Sequence, residues 1–171
     1  MSTKYQVIKQ CSVFINQIIQ IKYLLLYVLS VIIINLMFTV IPPIKLPDGS
    51  LWSFGSILAG FIFIFRDYAQ RYSGNNVFIA MIIALFFSYF MASPYVAIAS
   101  SLAFAVSELI DWAIYSVTNK PFKQRVWLSS IISCPADSLV FLAVIDQLSL
   151  LSFTVMTLSK FLSLAFIRWI K

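Results

Sequence analysis

The stretch that decides the fold is Ser107-Glu108-Leu109-Ile110-Asp111-Trp112-Ala113-Ile114-Tyr115. It lies inside an apolar run that opens after Pro94 and closes at Asn119-Lys120. The run is long enough to cross a bilayer, yet it carries two carboxylates. Near the centre of a membrane helix an acidic residue costs about 2.5–3.5 kcal/mol on insertion scales. On a helix Glu108, Asp111 and Tyr115 are spaced i, i+3, i+7, and Ser101 and Phe104 extend the same stripe. A costly stripe kept to one face belongs against a bundle interior or a wet cavity, which makes it a candidate site.

Working outward, the composition agrees with a lipid environment. Hydrophobic residues make up 61% of the 171-residue chain and charged residues 11%, against about 25% charged in a soluble domain. No alternation of apolar and polar residues of the kind a membrane barrel needs is present. The expected fold is therefore all-α: a polytopic membrane protein with six transmembrane helices in one bundle. Residues 1–22 are expected as a cytoplasmic N-terminal segment, a short amphipathic helix or a tail, and 23–171 as the transmembrane domain. The net charge of +6 comes from basic residues that punctuate the spans, so it reads as a topology signal and not as a nucleic-acid footprint.

The expected spans run from about Tyr23 to Ile41, Leu51 through Gln70, Val77 to Ala92, Tyr95 to Thr118, Val126 to Ile145 and Leu148 to Ile167. Pro42-Pro43, Lys45 to Gly49, Gly74-Asn75-Asn76, Ser93-Pro94, Lys120 to Arg125 and Asp146-Gln147 punctuate them. The apolar part of the second span stops at Phe65, short of the roughly 20 residues a crossing needs. The helix must therefore carry Arg66 to Gln70 into the membrane. Asp67 and Arg71 are then i, i+4 partners, and Arg66 and Gln70 share a face. Ser56 and Gly60 form a small-xxx-small pair that admits a close neighbour.

Six spans put both termini on one side. Lys4, Lys9, Lys22, Arg66, Arg71, Lys120, Lys123, Arg125, Arg168 and Lys171 all fall on that side. Lys45 falls opposite and Lys160 lies within the last span. The asymmetry makes both ends cytoplasmic. The two halves of three spans have opposite orientation, which permits an inverted repeat, although no internal similarity of sequence accompanies it.

Chemistry concentrates at mid-membrane. At 1.5 Å rise per residue, Glu108 falls within about 5 Å of the middle of its span, with Asp111 a turn nearer the cytoplasm. Asp137 lies close to the middle of the next span, on one side with Ser130, Ser133 and Phe141. Pro135 removes a backbone donor there and frees the carbonyl of Ile131. Asp67 enters from the cytoplasmic third of the second span. With Arg66 already beside Asp67, and no other cation at that depth in the fourth and fifth spans, these acids read as a ligand or proton site, with structural ion pairing as the alternative. Carboxylates accept paired hydrogen bonds from a planar donor edge such as an N1–H and 2-amino group. Tyr115, Phe104 and Phe141 could stack on a flat ring. An anionic solute would be repelled. Trp52, Trp127 and Trp169 are placed as interface anchors, with Trp112 deeper.

Enzyme chemistry is not expected. There is no histidine, no G-x-S-x-G, no H-E-x-x-H and no paired acid cluster for metal-assisted transfer, and no cofactor or metal is implied. Cys11 and Cys134 are not placed for a disulfide.

Three blocks carry a resemblance. They are Phe65-Arg66-Asp67-Tyr68-Ala69-Gln70-Arg71-Tyr72-Ser73-Gly74; Ala99-Ser100-Ser101-Leu102-Ala103-Phe104 running into Ser107-Glu108-Leu109-Ile110-Asp111-Trp112-Ala113-Ile114-Tyr115; and Ser129-Ser130 through Asp137-Ser138-Leu139-Val140-Phe141. Over residues 50–145 they resemble, in order, the VUT-type family, the vitamin uptake transporter-like proteins tied to queuosine precursors. The resemblance implies six spans in a bacterial cytoplasmic (inner) membrane and import of 7-deazapurine bases such as preQ0 and preQ1. On this reading the substrate-binding residues are Glu108, Asp111, Asp137, Tyr115, Ser107, Phe104, Ser133, Asp67, Gln70 and Arg66. The expected partners are that small molecule, membrane lipid and, through Ser56 and Gly60, a second copy as a dimer. The alternatives weighed beside it are a substrate-binding membrane subunit of an energy-coupled uptake system and a non-catalytic structural subunit.

Overall fold

The computed structural model describes residues 2–91 and 94–165. Six α-helices account for most of them: α1 (Ser2–Val40), α2 (Gly55–Ser73), α3 (Val77–Met91), α4 (Pro94–Val117), α5 (Phe122–Val144) and α6 (Leu150–Ala165). A two-strand hairpin, β1 (Ile44–Lys45) and β2 (Leu51–Trp52), joins α1 to α2, with Ile44 opposite Trp52 and Lys45 opposite Leu51. One 3-10 turn, Gly74–Asn76, joins α2 to α3.

Four helical runs are long and apolar enough to cross a membrane: 9–40, 55–91, 96–117 and 122–144, with α6 shorter. The distribution of polarity says the same. Leu150 is 85% exposed and Ile82 67%, while Arg66, Asp67, Asp111 and Lys160 are fully buried. Apolar side chains outside and charges inside is the reverse of a water-soluble fold. The chain is an all-α, multi-pass membrane protein.

The differences from the expected elements have local causes. No glycine or proline occurs between Ser2 and Val40, so nothing interrupts the helix at Lys22. The expected N-terminal segment is therefore the first half of α1, whose 39 residues span about 58 Å at 1.5 Å per residue. Leu51 and Trp52, expected to open the second span, belong to the hairpin. Pro47-Asp48-Gly49 makes its turn, with Gly49 at φ +86°, a backbone region glycine enters without strain. Lys123 and Arg125, expected in a loop, lie in the first turns of α5, for which Pro121 is the N-cap. Ser93, Arg168, Trp169 and Lys171 lie outside the described residues.

In the bundle α4 packs along α5, α2 lies between α1 and α6, and α3 bridges α1 and α4. Gly60 shows how tightly α2 and α6 approach: a Cβ there would stand 2.8 Å from Ser163 Cβ. The Ser163 hydroxyl donates to the Ile57 carbonyl across the same contact. The small-residue pair is thus used inside the chain.

Candidate functional site: a buried guanidinium beneath an open cavity

The inward stripe of α4 is Phe104, Ser107, Glu108, Asp111 and Tyr115, all buried, while Ile98, Leu102 and Leu109 on its other face are exposed. A matching stripe of α2 carries Gly60, Phe63, Asp67 and Gln70, also buried. Where the two stripes meet, Arg66 occupies the centre. Its Nη2 stands 2.8 Å from Asp67 Oδ1 and is ion-paired with Asp111 Oδ2. Its Nε lies 3.8 Å from Glu108 Oε2, and its Nη1 donates to Gln70 Oε1 at 2.6 Å. A planar fork of five donors suits such multiple attachment; a lysine would not.

Further bonds fix the acids around it. Tyr27 of α1 donates to Glu108 Oε2 at 2.7 Å. Ser133 donates to Asp111 at 3.2 Å and Ser129 to Asp67 at 3.4 Å, so two α5 serines serve as donors to carboxylates. Gln70 donates to Ser116 at 2.7 Å. Three carboxylates surround one guanidinium, an excess of two negative charges when all are ionised. Glu108 Oε1 has no hydrogen-bond partner among the described residues.

A second polar group lies apart from the first. Lys160 of α6 is ion-paired with Asp137 of α5 and donates to Ser138 Oγ at 2.8 Å. Ser107 donates to Asp137 Oδ1 at 3.0 Å. Asp137 and Lys160 line a cavity of about 480 Å³, together with Phe104 and Phe141. Trp52, Leu51 and Gln147 mark its mouth at the hairpin end of the bundle, and Val31, Ala103 and Phe104 its inner end. Along α1 its lining runs from Val31 to Thr39, eight steps or about 12 Å of rise. The two groups are stacked along the helices. Phe104 precedes Glu108 by one turn and Val31 follows Tyr27 by one turn, so the Tyr27–Glu108–Arg66 cluster lies directly beneath the cavity floor.

Several expectations are corrected by this geometry. Arg66 is not occupied by Asp67 alone: it reaches across to Glu108 and Asp111. Asp67 is not paired with Arg71, whose guanidinium lies 4.6 Å from the centre of the Phe122 ring. Asp137, without a cation in the fourth and fifth spans, takes Lys160 of α6 as its partner. Glu108 and Asp137 do not share one chamber: Asp137 lines the cavity and Glu108 does not, its Oε2 being held by Tyr27 beside Arg66. Tyr115 does not line the cavity: Arg125 lies 3.9 Å over its ring and donates to its carbonyl at 3.0 Å. Of the candidate residues, Phe104 and Asp137 line the cavity and Ser107 braces Asp137. Arg66, Asp67, Gln70, Glu108, Asp111 and Ser133 form the closed cluster below. Trp52 donates to Ser159 at 2.9 Å, at the cavity mouth. The cysteines are both free, Cys11 exposed and Cys134 buried.

Lys160 and Tyr27 are the functional candidates that motif reading missed. The signal for Lys160 was present: α6 offers it no acid within a turn, so a lysine there must find its partner on another helix. Tyr27 stands in an unbroken apolar run and carries no such mark.

Comparison with models of protein families, with curated proteins and with solved structures returns no match.

Proposed function

We propose that this chain is a secondary importer of queuosine precursors, 7-deazapurine bases of the preQ0 and preQ1 kind, in a bacterial cytoplasmic membrane. The observation that carries the reading is the cavity: a space of about 480 Å³ whose lining includes a carboxylate, Asp137, and two aromatic rings, Phe104 and Phe141. Small-molecule sites occupy roughly 300–1,000 Å³ and combine apolar walls with a few placed polar groups. Of the three sequence blocks that resemble the VUT-type family, the second and third contribute Ser100, Ala103, Phe104, Asp137 and Phe141 to its lining, and the first supplies Arg66 and Asp67 to the cluster below it. Read as six crossings, the chain has both ends inside, the side on which the basic residues gather. The cavity mouth, beside Lys45 in the hairpin, is then the outer face.

In this reading the guest enters between hairpin and helices, stacks on Phe104 or Phe141, and offers its N–H edge to Asp137. The carboxylate keeps a spare lone pair on each oxygen after Ser107 and Lys160 have bonded to it. Glu108, Asp111 and Asp67 hold the closed end rather than the guest.

The test is rescue of bacteria that neither make nor import preQ0 and preQ1, with queuosine in tRNA as readout. Expression of the chain restores queuosine at low external base, and Asp137→Asn abolishes the gain while the protein still inserts. Undiminished rescue by that variant refutes the assignment. Uptake into vesicles holding this chain alone separates a self-sufficient carrier from a subunit that needs an ATPase.

A further inference from the structure

We propose that the end of the bundle opposite the hairpin binds the phosphate of an anionic phospholipid, on Arg71 and the cations around it. The proposal needs only the membrane fold and stands apart from the importer reading. Lys22 of α1 comes just before the apolar span. Arg71 lies in the last turn of α2, and Lys123 and Arg125 open α5. Each stands where its helix leaves the apolar layer, at headgroup depth. Lys22, Arg71 and Lys123 are exposed and Arg125 is half-buried. No acid answers them. The chain has six: Asp48 and Asp146 at the hairpin end, Asp67, Glu108 and Asp111 around Arg66, and Asp137 on Lys160. A counter-charge for this rim must come from outside the chain.

The cationic heads are also held in place. Arg71 lies 4.6 Å over the Phe122 ring, Arg125 3.9 Å over that of Tyr115 and Lys22 5.8 Å over that of Tyr23. The rings touch in a chain, Tyr23 to Tyr68 to Phe122 to Tyr115, that crosses from α1 to α5. A ring beneath a guanidinium covers its face and leaves the in-plane N–H fork to bond. Arg71 makes no hydrogen bond or ion pair among the described residues, so its fork is unspent. Arg125 spends Nε and Nη2 on the Tyr115 carbonyl and keeps Nη1. A topology signal needs charge on one side of the membrane and no fixed geometry. Forks fixed on rings, with no acceptor of their own, suit a phosphodiester, and basic pockets between membrane helices take anionic headgroups. A free phosphate meets the same donors but lacks the acyl chains that keep a lipid at this depth.

The experiment uses the full chain purified in an uncharged detergent. Phosphatidylglycerol or phosphatidylcholine with the same acyl chains is added, and retained lipid is counted by native mass spectrometry beside a thermal melt. The wild type retains phosphatidylglycerol in preference and melts higher with it. Arg71→Gln lowers that retention about five-fold, the worth of one basic residue at an anionic surface, while Lys45→Gln at the hairpin end leaves it at the wild-type level. Undiminished retention by Arg71→Gln overturns the proposal. An equal loss in Lys45→Gln overturns it too, because net charge and not this rim is then the cause. Equal retention of the two lipids by the wild type overturns it with no variant needed. Inorganic phosphate is the third arm: stabilisation as strong as that by phosphatidylglycerol at the same concentration means a site for a free anion, and the lipid assignment falls.

Discussion

Removing the Arg66 side chain is the sharpest perturbation of this bundle. In Arg66→Met the apolar stem is kept and the guanidinium is lost. Asp67 loses a partner at 2.8 Å, Asp111 loses its ion pair, and Glu108 keeps only Tyr27. Breaking one buried pair typically costs about 3–5 kcal/mol. A cation shared by three carboxylates places this case at the upper end of that range. For a chain of 171 residues, each kcal/mol moves the melting temperature by about 2–4 °C. The expected loss is therefore roughly 6–20 °C in a thermal melt of detergent-purified protein. Arg66→Lys, which keeps the charge and gives up the fork, falls between the two. Adding Glu108→Gln to Arg66→Met recovers part of the loss, because one of the stranded charges is gone. A melt of Arg66→Met within about 2 °C of wild type refutes the reasoning, since so small a shift is under 1 kcal/mol.

Other outcomes follow from single contacts. Gly60→Val drives two methyl groups into Ser163 and the Lys160 carbonyl; overpacking of this kind costs about 1–3 kcal/mol, and the melt falls accordingly, whereas Ser56→Ala leaves it near wild type. Ser100 lines the cavity, so Ser100→Cys in a Cys11→Ser background is labelled by a membrane-impermeant maleimide from outside, and saturating base protects it; labelling from the cytoplasmic side alone contradicts the proposed orientation. Asp48 accepts hydrogen bonds from the Ser149 and Ser50 hydroxyls, which hold its carboxyl below the ordinary value of 3.8. A depressed native value means the contribution to hairpin order is full above the unfolded value and is lost as pH falls through the native one. Amide exchange at Gly49 to Leu51, corrected for its intrinsic pH dependence, therefore quickens as pH drops below about 4, and Asp48→Asn removes that dependence.

What the sequence disclosed of this arrangement was set by which forces act locally. The α4 stripe was legible because acids on an apolar helix carry their cost wherever the neighbours stand, and helical spacing puts them on one face. The shortness of the apolar run before Arg66 correctly carried that residue inward. The partners of Arg66 and Lys160 were not legible. They depend on how far each helix is rotated and slid against the next, and the close approach at Gly60 that positions α6 on α2 is a tertiary fact. Counting charges by span would have gone further: Asp137 and Lys160 are each the sole ion of the inner part of their helices, so each requires the other or its equivalent. The hairpin was seen only as a turn, because two-residue strands leave no periodicity to read. The unbroken helix from Ser2 was hidden by the polar residues of its first half, although the lack of glycine and proline there was plain.

The two polar groups differ in a way that bears on how a carrier of this design would work. Above, an ion pair on a cavity wall has spare donors and acceptors. Below, a guanidinium spends its contacts on four residues of two helices, Asp67, Gln70, Glu108 and Asp111, and Tyr27 adds a third helix. On the proposed reading, a guest at Asp137 would stand on a closed polar plug. Passage beyond it requires α4 to part from α2, which exposes an excess of negative charge when all three carboxylates are ionised. Something must neutralise that charge while the plug is open, and a cationic amine such as that of preQ1, or a proton, is the smallest group that can. Glu108 is placed for this part, one turn below Phe104 with Oε1 unpartnered among the described residues. Glu108→Gln then leaves binding at Asp137 nearly intact and slows release to the inside. In uptake assays that is a fall in maximal rate with little change in the half-saturating concentration. A pure affinity loss would place Glu108 in the binding wall instead.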